Sequence, residues 1–181
     1  DERRNTEIAG TNHGKMRKIV FMLIALFAIQ AVNAQYALKT GGRQLNAGFG
    51  SSNRGIPIYV GMDWGVQKDI SIGGEFSFRN YNENFLTTNY RHTVIGLMAN
   101  GNYHFNGITD IPEEYDLYAG LGVGFFLVSA SSGYTGDVGS GVGIGAQVGA
   151  RYYFNSKLAL NIEFNSNTVL SGGKIGVTYK L

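Results

Sequence analysis

The sequence contains no cysteine, which excludes disulfide staples and a lipid anchor attached through a thiol. Charge is scarce: Lys, Arg, Asp and Glu make up 15% of the 181 residues, where a soluble surface carries roughly 25 to 35%. Part of the surface is therefore expected not to face water. Long hydrophobic runs are missing too. The longest near the start, Ile19 to Ile29, has eleven residues, and a membrane-spanning helix takes about 20. Beyond that run only His92 and His104 are available as imidazole ligands, and neither belongs to H-E-x-x-H or another spaced metal set. No metal and no cofactor are expected.

What is present near the start reads as a leader. "MRKIVFMLIALFAIQAVNA", residues 16–34, places Arg17 and Lys18 before the apolar run and ends in Val32-Asn33-Ala34, with small residues where a signal peptidase reads. Residues 1–15 precede Met16 and read as an upstream extension that is not native. The mature chain is expected to begin at Gln35, leaving residues 35–181 as the one folded domain. Five of the 15 basic and three of the 13 acidic residues fall in residues 1–34, so ten of each remain. The basic balance belongs to the leader, and nucleic acid is not an expected partner.

Glycine is abundant, with 27 residues, and its spacing matters. "GVGIGAQVGARYYF", from Gly141, resembles a phosphate-cradling loop at first sight. A dinucleotide fingerprint needs G-x-G-x-x-G opening a helix, whereas Gly141, Gly143 and Gly145 recur at period two, as do the glycines of "YAGLGVGFFLV" from Tyr118. The alternation extends almost everywhere. Ile58, Val60, Met62, Trp64 and Val66 share one face, as do Ile70, Ile72, Phe76 and Phe78. Ile95, Leu97, Ala99, Tyr103 and Phe105 follow, then Leu117 to Leu127, Val142 to Phe154, Leu158 to Phe164, and Ile175 to Leu181. With a run near Leu45, Ala47 and Phe49, the pattern predicts eight strands and no helix, each strand about as long as a tilted transmembrane strand.

A soluble ligand-binding barrel would turn the apolar face inward. Three features turn it outward instead. The opposite face is mostly Gly, Asn and Ser, too poor in Lys and Glu for a solvent coat. Connections alternate in length: "QKD" and "NSK" are tight, "NYNENFLTTNYRH" and "SASSGYTGDVGSG" long, with "NGITDIPEEYD" longer than this pattern wants. Each even-numbered strand also ends in outward aromatics, Trp64, Tyr103 with Phe105, Tyr152 with Phe154, and Tyr179, the girdle expected at a bilayer interface.

An internal echo fixes two hairpins. "GMDWGVQKDISIGGEF" and "GARYYFNSKLALNIEF" align without a gap, setting Val66 against Ile70 and Phe154 against Leu158, and hence Gly61 against Glu75 and Gly149 against Glu163. In a narrow lumen a large inward side chain needs a missing one across from it. The same parity turns Asp63, Glu75, Arg79, His104, Arg151, Glu163, Lys174 and Lys180 inward. Glu163 is expected to meet Arg151 directly or through a neighbour such as Lys174, and Glu75 to meet Arg79 or another lumenal cation, because an unpaired buried charge is costly.

These residues resemble the small outer-membrane β-barrel family of Gram-negative bacteria. The C-terminus "KIGVTYKL" is similar to the assembly signal of such barrels, with Lys174, Gly176, Tyr179 and Leu181 in the signal positions, although a terminal Phe is commoner than Leu181. The resemblance implies an all-β, eight-stranded antiparallel up-and-down barrel, outer-membrane lipid and the barrel assembly machinery as partners, and a monomer. It does not fix an activity, because one fold hosts many. An envelope-structural or surface-interaction role is the leading reading, with a ligand met through the Asn- and Tyr-rich long loops, where Tyr81, Phe85, Tyr90 and Tyr134 lie. A small-solute channel is the first alternative. The second is a lipid A-modifying enzyme, for which His92, Glu83, Asp137 and Ser140 are the candidate loop residues.

Overall fold

The structure, a computed structural model, describes residues 38–52, 54–85, 88–169 and 171–181. The expected leader, upstream extension and mature N-terminus lie outside the described residues. Eight strands follow in chain order: β1 (Arg43–Ser52), β2 (Ile58–Gln67), β3 (Ile70–Phe85), β4 (Thr88–His104), β5 (Tyr115–Ala130), β6 (Gly141–Tyr153), β7 (Leu158–Asn167) and β8 (Ser171–Lys180). Each is antiparallel to the next, and β8 pairs back onto β1 from Gln44–Lys180 to Ser52–Gly172, so the sheet closes. Closure matters physically because it leaves no strand edge with unpaired amides, the condition for a sheet to cross hydrocarbon.

The two faces separate as the alternation requires. Phe49, Ile58, Val60, Ile72, Phe76, Leu97, Leu121, Phe125, Ile144, Val148 and Phe164 are exposed on the outside, while Gln44, Asp63, His104, Asp116, Arg151 and Asn161 are buried within. An apolar coat around a polar core is the inverse of a water-soluble protein and matches a barrel immersed in lipid. The register sets Gly61 opposite Glu75, Gly149 opposite Glu163 and Arg151 opposite Asn161.

Local expectations are corrected at both ends. Val66 does not face Ile70: a bulge after Gly65 leaves Val66 out of register and pairs Gln67 with Ile70. This tightens the turn, whose Asp69 adopts φ 61°, a left-handed conformation that a short polar side chain tolerates. The chain is not free of helix either, since Phe105–Gly107 forms one 3-10 turn. Phe105 therefore leaves the strand that was to carry it, yet packs edge-on against Tyr103 with centroids 5.4 Å apart.

At the other end the described residues of "NYNENFLTTNYRH" form strand and not loop. The β3–β4 ladder runs through Asn82–Arg91 and Glu83–Tyr90 to Phe85–Thr88. Above the lipid both faces of a hairpin meet water, so the hydrophobic alternation vanishes while the backbone hydrogen bonds persist. The β7–β8 connection, 168–170, is likewise short, so residues 131–140 form the long irregular connection of that end.

Candidate functional site

The lumen gathers the inward-facing charged side chains of the described strands. At the short-turn end Tyr153 donates to Gln44 Oε1 (3.2 Å), and Lys180 Nζ lies 4.0 Å from the Tyr153 ring centre. One layer up, Arg151 Nη1 bonds Asp116 Oδ2 (2.9 Å) and Nη2 bonds Asp63 Oδ2 (3.0 Å). The same Asp63 oxygen accepts from Gln44 Nε2 and Asn46 Nδ2, each at 2.9 Å. The guanidinium lies 4.2 Å over the Tyr118 ring, whose hydroxyl donates to Glu163 Oε2 (2.9 Å). Higher still, Lys174 Nζ sits between Glu75 Oε2 (2.6 Å) and Glu163 Oε1 (2.7 Å), above the Tyr59 ring. Arg79 comes next, with Nη1 donating to Ser52 Oγ (3.0 Å). Buried Val94, Phe126 and Val128 fill the opposite wall.

Each central cation thus lies between two carboxylates, and the flanking Lys180 and Arg79 bring the stack to four positive and four negative side chains. Balance of this kind lets charges be buried at all, since an unpaired ion in a low-dielectric interior costs several kcal/mol. All eight residues named from inward parity belong to this region, and the expected pairings take their second form, with Glu163 meeting Lys174 and Glu75 meeting a lumenal cation other than Arg79. Arg151 does not meet Glu163. Gly149 stands opposite Glu163, and a Cβ there would fall on the Tyr118 ring. The ring enters through that gap and separates the two, so Arg151 turns to Asp63 and Asp116 instead. Lys174, not Arg79, takes Glu75.

Asp116 escaped the sequence reading although its signal was there. The β5 face alternates outward from Leu117, and one step back along the same parity puts Asp116 inside. It completes a chain in which Ser71 Oγ lies 2.9 Å from His104 Nε2 and His104 Nδ1 lies 2.7 Å from Asp116 Oδ1. The connectivity is that of a serine nucleophile, its base and the acid that orients the base. All three side chains are fully buried, so a substrate carbonyl has no approach to Ser71 Oγ, and Asp116 already carries the Arg151 contact.

Of the candidate enzyme residues at the opposite mouth, His92 and Glu83 come together, while Asp137 and Ser140 do not join them. His92 is buried between Tyr81, stacked at 4.8 Å, and Tyr134, edge-on at 4.7 Å, with Nε2 3.3 Å from Glu83. Ser140 Oγ and Asp137 Oδ1 are engaged instead by the backbone amides of Val128 and Gly139. Phe85 and Tyr90 also pack edge-on against Tyr134. The residue 131–140 connection is thereby pinned to the β3–β4 hairpin by aromatic contacts.

The rim aromatics Trp64, Tyr103, Tyr152, Phe154 and Tyr179 are all exposed on the outside, and Tyr115 joins them. Tyr152 packs against both Tyr115 and Phe154, at 5.1 and 5.4 Å. At the C-terminus Tyr179 and Leu181 point outward, Lys174 and Gly176 inward, and Leu181 N donates to Arg43 O (3.0 Å).

Residues 19–180 match the family model described as "Outer membrane protein beta-barrel domain". The chain belongs to this family. It is an integral protein of the cell outer membrane, and its closed eight-stranded barrel is the membrane-spanning body. The barrel is similar to OprG of Pseudomonas aeruginosa, with TM-score 0.67 and 12% identity over 82% of this chain and 99% of that one. It is similar to Neisserial surface protein A, with TM-score 0.55 and 12% identity over 77% and 95%. Ail, the attachment invasion locus protein of Yersinia pestis, gives TM-score 0.51 and 14% identity over 78% and 99%. No curated protein matches the chain. At such identities the likeness is one of fold, so the barrel's activity has to be read from its own side chains.

Proposed function

We propose that this barrel is a closed, non-enzymatic scaffold of the outer membrane, which presents its β3–β4 hairpin and the 131–140 connection at the cell exterior for envelope or surface contacts. The observation that carries the reading is the filled lumen. Arg151, Tyr118, Glu163 and Lys174 span it from wall to wall with hydrogen bonds and ion pairs of 2.6 to 3.0 Å, leaving side chains where a channel would need water. Eight strands give an interior just wide enough for such packing. Rigid aromatic packing at the projecting hairpin supports the surface role, because a preformed loop binds without a large ordering cost. Burial of Ser71 supports the non-enzymatic part.

Reconstituted in planar bilayers, the barrel is expected to show no sustained conductance. Steady ion-selective openings would overturn the closed scaffold in favour of a small-solute channel. Membrane assembly offers a second check. Tyr179 and Leu181 face lipid at the rim proposed as periplasmic, so Tyr179→Asp with Leu181→Asp should reduce the outer-membrane level of the protein several-fold in fractionated cells, through lost recognition by the assembly machinery and the cost of charge at that depth. Undiminished levels would remove the C-terminal strand from that role.

A further inference from the structure

Arg79 is the exception within the lumenal charge stack. Asp63, Asp116, Glu75 and Glu163 each contact Arg151 or Lys174, while Arg79 forms no ion pair with a described residue. Its side chain is nine-tenths buried, at 7% exposure. Its one hydrogen bond to a described residue runs from Nη1 to Ser52 Oγ, and Nε has no partner. Ser52 gives little compensation, because its hydroxyl also accepts from Arg54 N (3.2 Å) and donates to Gly55 O (2.9 Å). No described carboxylate therefore lies within ion-pair distance of the guanidinium, whose Nε–H and an Nη–H form the fork that fits two oxygens of one oxyanion.

Arg79 lines a small cup at the hairpin end of the lumen, whose wall includes Ser51, Ser52, Ser77, Asn165 and Ser171. Hydroxyls and amides supply donors for the remaining oxygens of a ligand, and Phe126 and Met98 close the far side. The charged floor is Lys174 with Glu75, paired at 2.6 Å, and the second carboxylate on Lys174, Glu163, lies outside the lining of the cup. Arg54 adds a positive charge on the adjoining β1–β2 connection. The cup is a dead end beneath which the Arg151 and Lys174 layers block passage.

We infer that Arg79 and the hydroxyl-lined cup around it bind a compact oxyanion, the phosphate or carboxylate group of a small solute. This goes beyond the closed-scaffold reading, and its failure would leave that reading untouched, because conductance and anion occupancy are measured separately. A phosphate carried on a lipid headgroup has the same chemistry, and the test separates the two sources.

The barrel would be refolded in non-ionic detergent with nitrogen-15 arginine, and its Nε–Hε signals followed while inorganic phosphate replaces chloride at constant ionic strength. One signal, absent in Arg79→Lys, is expected to shift and saturate. Arg79→Gln should abolish saturable binding. Ser52→Asp should do the same by placing a carboxylate on Arg79 without emptying the lumen, and this variant tests the site if the first fails to fold, with heat-modifiable gel mobility reporting folding. In nanodiscs of anionic against zwitterionic phospholipid, the signal stays unshifted until phosphate is added if the ligand is a free solute. It is shifted beforehand in the anionic discs alone if a headgroup supplies the oxyanion. A linear, unsaturating response, or a saturable one retained in folded Ser52→Asp, would overturn the site.

Discussion

Arg151→Ala is expected to lower the denaturant midpoint of the detergent-folded barrel far more than Arg54→Ala. Arg151 is 2% exposed and holds Asp63 and Asp116 at 3.0 and 2.9 Å. Its removal strands two buried carboxylates and takes the guanidinium from the Tyr118 ring. Breaking a buried pair by deleting one partner typically costs about 3 to 5 kcal/mol, whereas Arg54, half-buried on a connection, forms no ion pair with a described residue. Trp64, the single tryptophan, sits exposed at the rim and reports unfolding by its fluorescence. Adding Asp63→Asn and Asp116→Asn to Arg151→Ala should recover part of the loss, because the stranded charges disappear. Equal small effects of Arg151→Ala and Arg54→Ala would mean that the network is hydrated and contributes little.

The parts of this barrel legible in the sequence are those fixed by local parity. Alternating glycines, Gly120 to Gly124 in β5 and Gly141 to Gly145 in β6, say strand, and the gapless echo around "QKD" and "NSK" gives the pairing of Gly61 with Glu75 and Gly149 with Glu163, which the register shows. Hairpin arithmetic works here because side chains alternate strictly and a tight turn anchors the count. It falters one residue from the turn, where the bulge after Gly65 displaces Val66.

Contacts across the lumen were not legible in the same way. Arg151 on β6 finds Asp63 on β2, and Lys174 on β8 finds Glu75 on β3. These strands are not ladder neighbours, and only closure brings them together. Tyr118 entering the space above Gly149 is a packing outcome that no pairwise register contains. Asp116 was missed for a smaller reason, since the apolar run was read from Leu117 and its inward neighbour lies one residue before. The β3–β4 extension shows the limit of periodicity itself: Asn82 to Phe85 carry no amphipathic signal, and their strand is held by the ladder alone.

The Lys174 layer makes the sharpest demand on the charge stack, because one cation there serves two carboxylates from different strands. Lys174→Met keeps an unbranched side chain of similar length over the Tyr59 ring but leaves Glu75 and Glu163 facing each other without the ammonium that lay 2.6 and 2.7 Å from them. The expected loss is again about 3 to 5 kcal/mol, the penalty of a buried charge without its partner. Glu75→Gln should cost much less, since Lys174 keeps Glu163, and Glu163 keeps the Tyr118 hydroxyl. The triple variant Lys174→Met, Glu75→Gln, Glu163→Gln removes every charge of the layer and should recover most of the stability lost by Lys174→Met alone, as happens when a buried ionic cluster is replaced whole. The two-carboxylate geometry predicts this order: Lys174→Met lowest, the triple variant above it, Glu75→Gln near the parent. Because the three residues touch, their effects cannot add, and the departure from additivity measures the coupling directly. If Lys174→Met and Glu75→Gln lower the midpoint alike and the triple variant equals their sum, the layer is held by packing against Tyr59, and charge pairing does not set the stability of the lumen.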